Sequence, residues 1–253
     1  MLNNIIKEFE KLKQVEAIVL SGSLTSAIND SLSDTDIYIY YNEEITKAER
    51  EEIIKEFTSC YTISTGFFEE GDEALIEGKN YDFMYRSIKF ITDEINNTWI
   101  NNYSRLGYTT CFLYNFKNSK ILFDKNNTYK NAIEVLFGKY PTKLKKNIIS
   151  KNLAIIDGPT LFPYKKQLEL AIEREDIVSI NHRISAIIAS YFDVLFAFNE
   201  VLHPGEKKLV KYAKLLCTKI PENMEADIIK LLKGDQILIN LENLISNLKK
   251  LVL

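Results

Sequence analysis

Two aspartates separated by a single threonine, Asp34-Thr35-Asp36, lead into the β-prone run IYIYY, and a Gly22-Ser23 pair closes the apolar run VEAIVL a short way upstream. Alternate side chains of an extended strand share a face, so Asp34, Asp36, Tyr38 and Tyr40 project to one side and Ile37, Ile39 and Tyr41 to the other. The later run NYDFMYRS sets Asp82, Met84 and Arg86 on one face and Tyr81, Phe83 and Tyr85 on the opposite one. If the two strands are neighbours, three carboxylates converge. Two ionised groups 4 Å apart repel by about 4 kcal/mol at an effective dielectric of 20, so such a cluster calls for a cation. Magnesium prefers carboxylate and water oxygens and commonly joins protein to substrate phosphates. A pair of such ions could hold a nucleoside triphosphate and neutralise departing pyrophosphate, in chemistry that needs positioning more than a protein nucleophile. Gly22 would let backbone approach a phosphate closely, and Ser23 would cap the following helix or bind a terminal phosphate, because helix N-termini present free N–H donors.

Each residue also has a plainer reading. Gly22-Ser23 could end a strand and cap a helix. Asp34 and Asp36 could solvate a turn and a strand edge, and Asp82 could be an exposed strand residue. Arg86 could face a phosphate or pair with an acid on its own sheet. In the later stretch FNEVLHPGEKKL, Pro204 is expected to start a helix with Lys207 and Lys208 in its first turn, where positive charge opposes the helix dipole. A nearby anion would compensate; solvation is the alternative. His182 reads first as a structural helical histidine, and the basic run KLKKNIISK as a solvent-facing helix, with RNA contact the lesser reading of it.

The elements needed to position the acids are legible. Ile5, Ile6, Phe9 and Leu12 recur at helical spacing, VEAIVL is a strand, 23–28 a short helix, and DIYIYY a second strand. A charged helix over 46–57, a possible strand over 61–68, a glycine turn and the strand NYDFMYR follow. From about Ser87 the pattern turns helical, broken or restarted at Pro141, Pro159, Pro163, Pro204 and Pro221, with ILFD a short strand among the helices. The expected architecture is α/β plus α: a mixed sheet with helices over 1–120, then a helical bundle over 121–253 that closes the substrate cleft and chooses the acceptor. With 46% hydrophobic and 26% charged residues in 253, the composition is globular. A net charge of −3 gives no general reason for a nucleic-acid or membrane partner. Cys60, Cys111 and Cys217 suit reduced thiols rather than a disulfide framework or zinc site, and no run reaches the roughly 20 apolar residues of a membrane span. A cytoplasmic location is expected.

Taken together, strand, Gly22-Ser23, Asp34-Thr35-Asp36 and the later Asp82 strand resemble the nucleotidyltransferase superfamily that includes DNA polymerase beta-like and antibiotic nucleotidyltransferases. The motifs cover roughly the first 90 residues, and YDFMYRS with FNEVLHPGEKKL is similar to a bacterial branch bearing an appended helical domain. The resemblance implies transfer of a nucleoside monophosphate from an NTP such as ATP to a hydroxyl-bearing acceptor. That acceptor would be an antibiotic-like small molecule, an RNA end or a protein side chain; bulk charge does not point to RNA. Asp34, Asp36 and Asp82 would bind two magnesium ions, with Asp82 also able to activate the acceptor. Gly22, Ser23, Arg86, Lys207 and Lys208 would hold the nucleotide. A non-catalytic nucleotide-binding regulatory module of the same fold is the alternative.

Overall fold

The computed structural model describes residues 1–22, 28, 34–66 and 70–253. Helix α1 (Leu2–Glu10) precedes strands β1 (Val15–Leu20) and β2 (Thr35–Tyr41). Helix α2 (Lys47–Ile54) is followed by β3 (Tyr61–Thr62), β4 (Gly71–Ile76) and β5 (Lys79–Ser87). Then come α3 (Ile88–Glu94), a π-helical turn (Ile95–Ile100), α4 (Cys111–Asn118), β6 (Lys120–Asp124) and α5 (Thr128–Ile133). Six more helices follow: α6 (Thr142–Asp157), α7 (Tyr164–Glu173), α8 (Ile177–Phe198), α9 (Leu209–Leu216), α10 (Met224–Lys233) and α11 (Ile237–Val252). The architecture is therefore the expected mixed sheet with helices, followed by a helical C-terminal half.

The described strands form one sheet in the order β3-β4-β5-β2-β1-β6, in which β2 and β5 are parallel and the other pairs antiparallel. Alternation divides its faces as the sequence implies. Ile37, Ile39, Phe83 and Tyr85 point into a core closed by Ile5, Ile6 and Phe9 of α1 and Ile53 and Ile54 of α2. Helix α2 starts on a capping box in which Thr46 and Glu49 satisfy each other's backbone N–H groups. Its Arg50 is buried under this face, 3.4 Å from the buried Asp72 carboxylate and 4.5 Å from the centroid of the Tyr85 ring, with Glu70 as a further ion-pair partner.

Several expectations change. Of the strand expected over 61–68, the described residues 61–66 carry a two-residue strand, and the stretch read as a glycine turn carries a full strand, β4. The helix expected over 23–28 lies, but for Ile28, outside the described residues, as does Ser23. ILFD is a strand, but it pairs with β1 at the edge of the N-terminal sheet and belongs to no helical bundle. Two compact units result, interleaved along the chain: 1–96 with 115–138, and 97–114 with 139–253.

In the second unit, Tyr191, Phe192, Leu195 and Phe196 of α8 are buried core, while Phe198 is half-buried. Asp193, on the same helix, is buried too. Its carboxylate accepts from the Thr109 hydroxyl (2.6 Å), the Thr109 N–H (3.0 Å) and the Asn152 amide of α6 (3.1 Å). These bonds fasten the irregular stretch before α4 onto α6 and α8. Helix α9 begins at Leu209, later than expected: Gly205 has φ +104° and Lys208 φ +57°, both in the left-handed region, so the turn after Pro204 is not helical. Lys207 and Lys208 accordingly precede the helix instead of lying inside its first turn.

Candidate active site

The acids gather at the entrance of two adjacent parallel strands. The β2–β5 register sets Thr35 opposite Tyr81 and Asp36 directly opposite Asp82. Neighbouring strands lie about 4.8 Å apart, and facing residues point to the same side, so Asp36 and Asp82 form a side-by-side pair. One step before the strand, exposed Asp34 accepts from the Asn80 amide at 3.2 Å, which continues the same register outwards.

On this face, exposure falls steadily along β2. Asp34 is exposed, Asp36 and Tyr38 are half-buried, and Tyr40 is fully buried. The inner end is covered by aromatic packing: Tyr40 meets Tyr129 of α5 at 5.3 Å between centroids, and Tyr129 donates its hydroxyl proton to the Phe116 carbonyl at 2.8 Å. Burial pushes the Tyr40 phenol well above its ordinary range, which excludes it as a proton carrier near neutrality. Among the described residues the outer end is left open, and the carboxylates occupy it.

Gly22 stands against the acid pair from the β1 side. Its φ is +68°, and a Cβ built there would fall 1.7 Å from Asp36 Oδ2, so only glycine fits this position. The turn is pinned on both sides: Ser21 N–H donates to the Asp36 carbonyl at 2.9 Å, and the Ser21 hydroxyl accepts from the Asn115 amide of α4 at 2.5 Å. Ser21 and Asn115 are positioning residues that the sequence did not disclose, since 94 positions separate them.

Arg86 follows Asp82 by four residues, about 13 Å along the strand. It is largely buried, its guanidinium 4.5 Å from the Tyr38 ring centroid and 5.1 Å from that of Phe90. Lys207 and Lys208 belong to the second unit. The structure thus brings Asp34, Asp36, Asp82 and Gly22 to one strand entrance and sets Arg86 further along the same face.

Strand β4 contributes a carboxylate that was not anticipated. Its register with β5 sets exposed Glu73 directly opposite Asp82, so Asp36, Asp82 and Glu73 form a row across three strands. A cleft of about 420 Å³ lies beside this row, lined by Asp34, Asp82 and Glu73 together with Tyr61, Leu75 and Asn80 among others. Among the described residues, no three His, Cys, Asp or Glu side chains stand close enough together to hold a metal ion as they are. The donor set nonetheless fits a hard divalent cation: paired carboxylate oxygens, half-exposed, with neither thiolate nor imidazole among them.

A mixed sheet with helices, a left-handed glycine after its first strand and an acid pair entering its parallel strands define the class of domain. Residues 3–77 match the family model described as Polymerase beta, Nucleotidyltransferase, the superfamily that the motifs resemble. Asp82 lies just beyond the matched residues. No curated protein matches the chain. Among solved structures, a nucleotidyltransferase-like protein from Exiguobacterium sibiricum aligns over 98% of this chain and 72% of its own, at 8% identity and a TM-score of 0.48. A spectinomycin adenyltransferase from Enterococcus faecialis, solved with ATP and spectinomycin, aligns over 97% of this chain and 98% of its own, at 12% identity and a TM-score of 0.31. No described helix is long and apolar enough to cross a membrane.

Proposed function

We propose that the chain is a magnesium-dependent nucleotidyltransferase, moving a nucleoside monophosphate from an NTP to a hydroxyl-bearing acceptor. The observation that carries this reading is the direct register of Asp36 with Asp82, with the Gly22 backbone packed against the Asp36 carboxylate. Asp34, Asp36 and Asp82 are the proposed ligands of two magnesium ions, which when bound supply positive charge to the attacking and leaving oxygens. Gly22 gives the triphosphate close access to backbone, and Ser23 is kept, by the resemblance, as a candidate contact to it. Arg86, Lys207 and Lys208 are kept as candidate contacts to the nucleotide.

In the reaction, an acceptor hydroxyl oxygen bonds to the α-phosphorus while the bond from that phosphorus to the bridging oxygen of the β-phosphate breaks, and pyrophosphate leaves. The hydroxyl proton passes to a carboxylate of the row, with Asp82 central in it and Glu73 its neighbour. Asp36 stays fixed, its position set by the glycine packed against it.

The test incubates the purified chain with each NTP, magnesium or manganese, and a set of hydroxyl acceptors, and follows pyrophosphate. Asp36→Ala is expected to abolish release. It is also expected to remove the rise in melting temperature that magnesium with NTP gives the unsubstituted protein, because a ligand that binds only the folded state stabilises it by mass action. Turnover that survives in Asp36→Ala would dismiss the assignment. Metal-dependent NTP affinity without pyrophosphate from any acceptor would instead favour a binding module.

A further inference from the structure

Helix α10, in the second unit, buries Met224, Asp227, Ile228 and Leu231. Its opposite side holds Glu225, Ala226, Ile229, Leu232 and Lys233, all exposed. At about 100° per residue, positions three and four away in either direction share a face with the residue between them, so Ile229 is the centre of this stripe. Ile229 and Leu232 are 45% and 61% exposed. Leu238 and Ile239, in the first turn of α11 just past the Gly234 that ends α10, are 39% and 59% exposed. The helix dipole accounts for an acid at the start of α10 and a base at its end, but it gives no reason for apolar side chains to face water between them.

We propose that this stripe is where a second copy of the chain docks, α10 against α10, antiparallel about a two-fold axis at Ile229. A two-fold interface uses the same patch twice, so each contact of i with j recurs as j with i. With Ile229 on the axis, Glu225 lies against Lys233 of the other copy and Ala226 against its Leu232, since the members of each pair stand equally far from the centre in opposite directions. Opposite charges then meet at both rims, a small side chain faces a large one, and Ile229 meets itself in the middle. This matching about one residue is what singles out a second copy, because an unrelated partner requires no such symmetry. Glu225 already pairs with Lys214 of α9 but keeps 48% of its side chain exposed, so it can bridge the two lysines. With apolar contact confined to a few residues, the pair belongs at the weak end of protein interfaces, in the micromolar range.

Sedimentation velocity of the purified chain over about 1 to 100 μM is expected to show a reversible monomer–dimer equilibrium. Lys233→Glu sets two acids face to face at each rim and Glu225→Lys two lysines, so each variant alone should dimerise about tenfold more weakly. An equimolar mixture of the two variants restores opposite charges at both rims, and its association should return to that of the parent. Ile229→Lys, which brings two ammonium groups together on the axis, should abolish association while leaving the urea midpoint of the monomer near the parent's, because the side chain it replaces is exposed. A parent that stays monomeric across the range would overturn the inference and leave the face to a different protein. Variants that dimerise as the parent does, or a mixture no stronger than its separate components, would overturn it too and place the contact on another surface. None of these residues belongs to the acid row, so the pairing neither needs nor tests nucleotide transfer.

Discussion

At the residue scale, the sharpest constraint is Gly22. Its left-handed φ disfavours any side chain, and its missing Cβ is the space that Asp36 Oδ2 occupies. Gly22→Ala is expected to cost about 2 kcal/mol, as for other residues forced into sparsely populated backbone regions, read as a lowered urea midpoint at unchanged slope. The added methyl must also displace the Asp36 carboxylate. A misplacement of the order of 1 Å costs about a hundredfold in rate, so kcat should fall by roughly that factor although every carboxylate is still present. An alanine variant with unaltered stability and turnover would show that the contact between the turn and Asp36 does not matter. The Ser21–Asn115 bond acts on the same turn from its other side. Asn115→Ala should therefore lower kcat, since it loosens the turn without removing a carboxylate.

At the element scale, legibility depended on whether a strand's inward positions are apolar. In β2 and β5 the alternation of Ile37 and Ile39, and of Phe83 and Tyr85, is uninterrupted, so both strands and their faces could be inferred from spacing, whereas the meeting of Asp36 with Asp82 hung on the two strands being neighbours. Strand β4 hid because its inward positions run Asp72, Ala74, Ile76: a buried carboxylate where the pattern demands a hydrophobe. Glu73 was missed with it. The compensation is Arg50 of α2, more than twenty positions upstream and invisible to any local pattern. Likewise ILFD reads as a strand, but nothing in it names β1 as its partner. Burial raises the Asp72 carboxyl above its ordinary value even with Arg50 beside it. Arg50→Leu, which strands that carboxylate, is expected to cost about 3–5 kcal/mol in urea unfolding, and a following Asp72→Asn should recover most of the loss.

At the scale of the whole molecule, pH dependence should report on the second unit through two buried groups whose effects oppose one another. Burial raises the Asp193 carboxyl from 3.8 to about 6, despite the Thr109 and Asn152 hydrogen bonds. A raised folded-state value means that its stabilising contribution is complete below pH 4 and is lost as pH climbs through 6; the change amounts to about 3 kcal/mol. His203 behaves in the opposite sense. Fully buried between the Tyr108 and Phe196 rings, with Nδ1 accepting from the Gly205 N–H, it is lowered from 6.5 to about 3. Its contribution is complete above pH 6.5 and drains away as pH falls towards 3. Between pH 4 and 6 the two slopes run against each other, so the unsubstituted protein should show a shallow dependence there. Asp193→Asn removes the descending slope, and its stability relative to the parent should rise with pH across that window. His203→Gln removes the ascending slope, and its relative stability should fall. Urea midpoints at half-unit steps from pH 4 to 7 decide the matter: parallel curves for parent and both variants would show that neither group titrates with a shifted value in the folded chain.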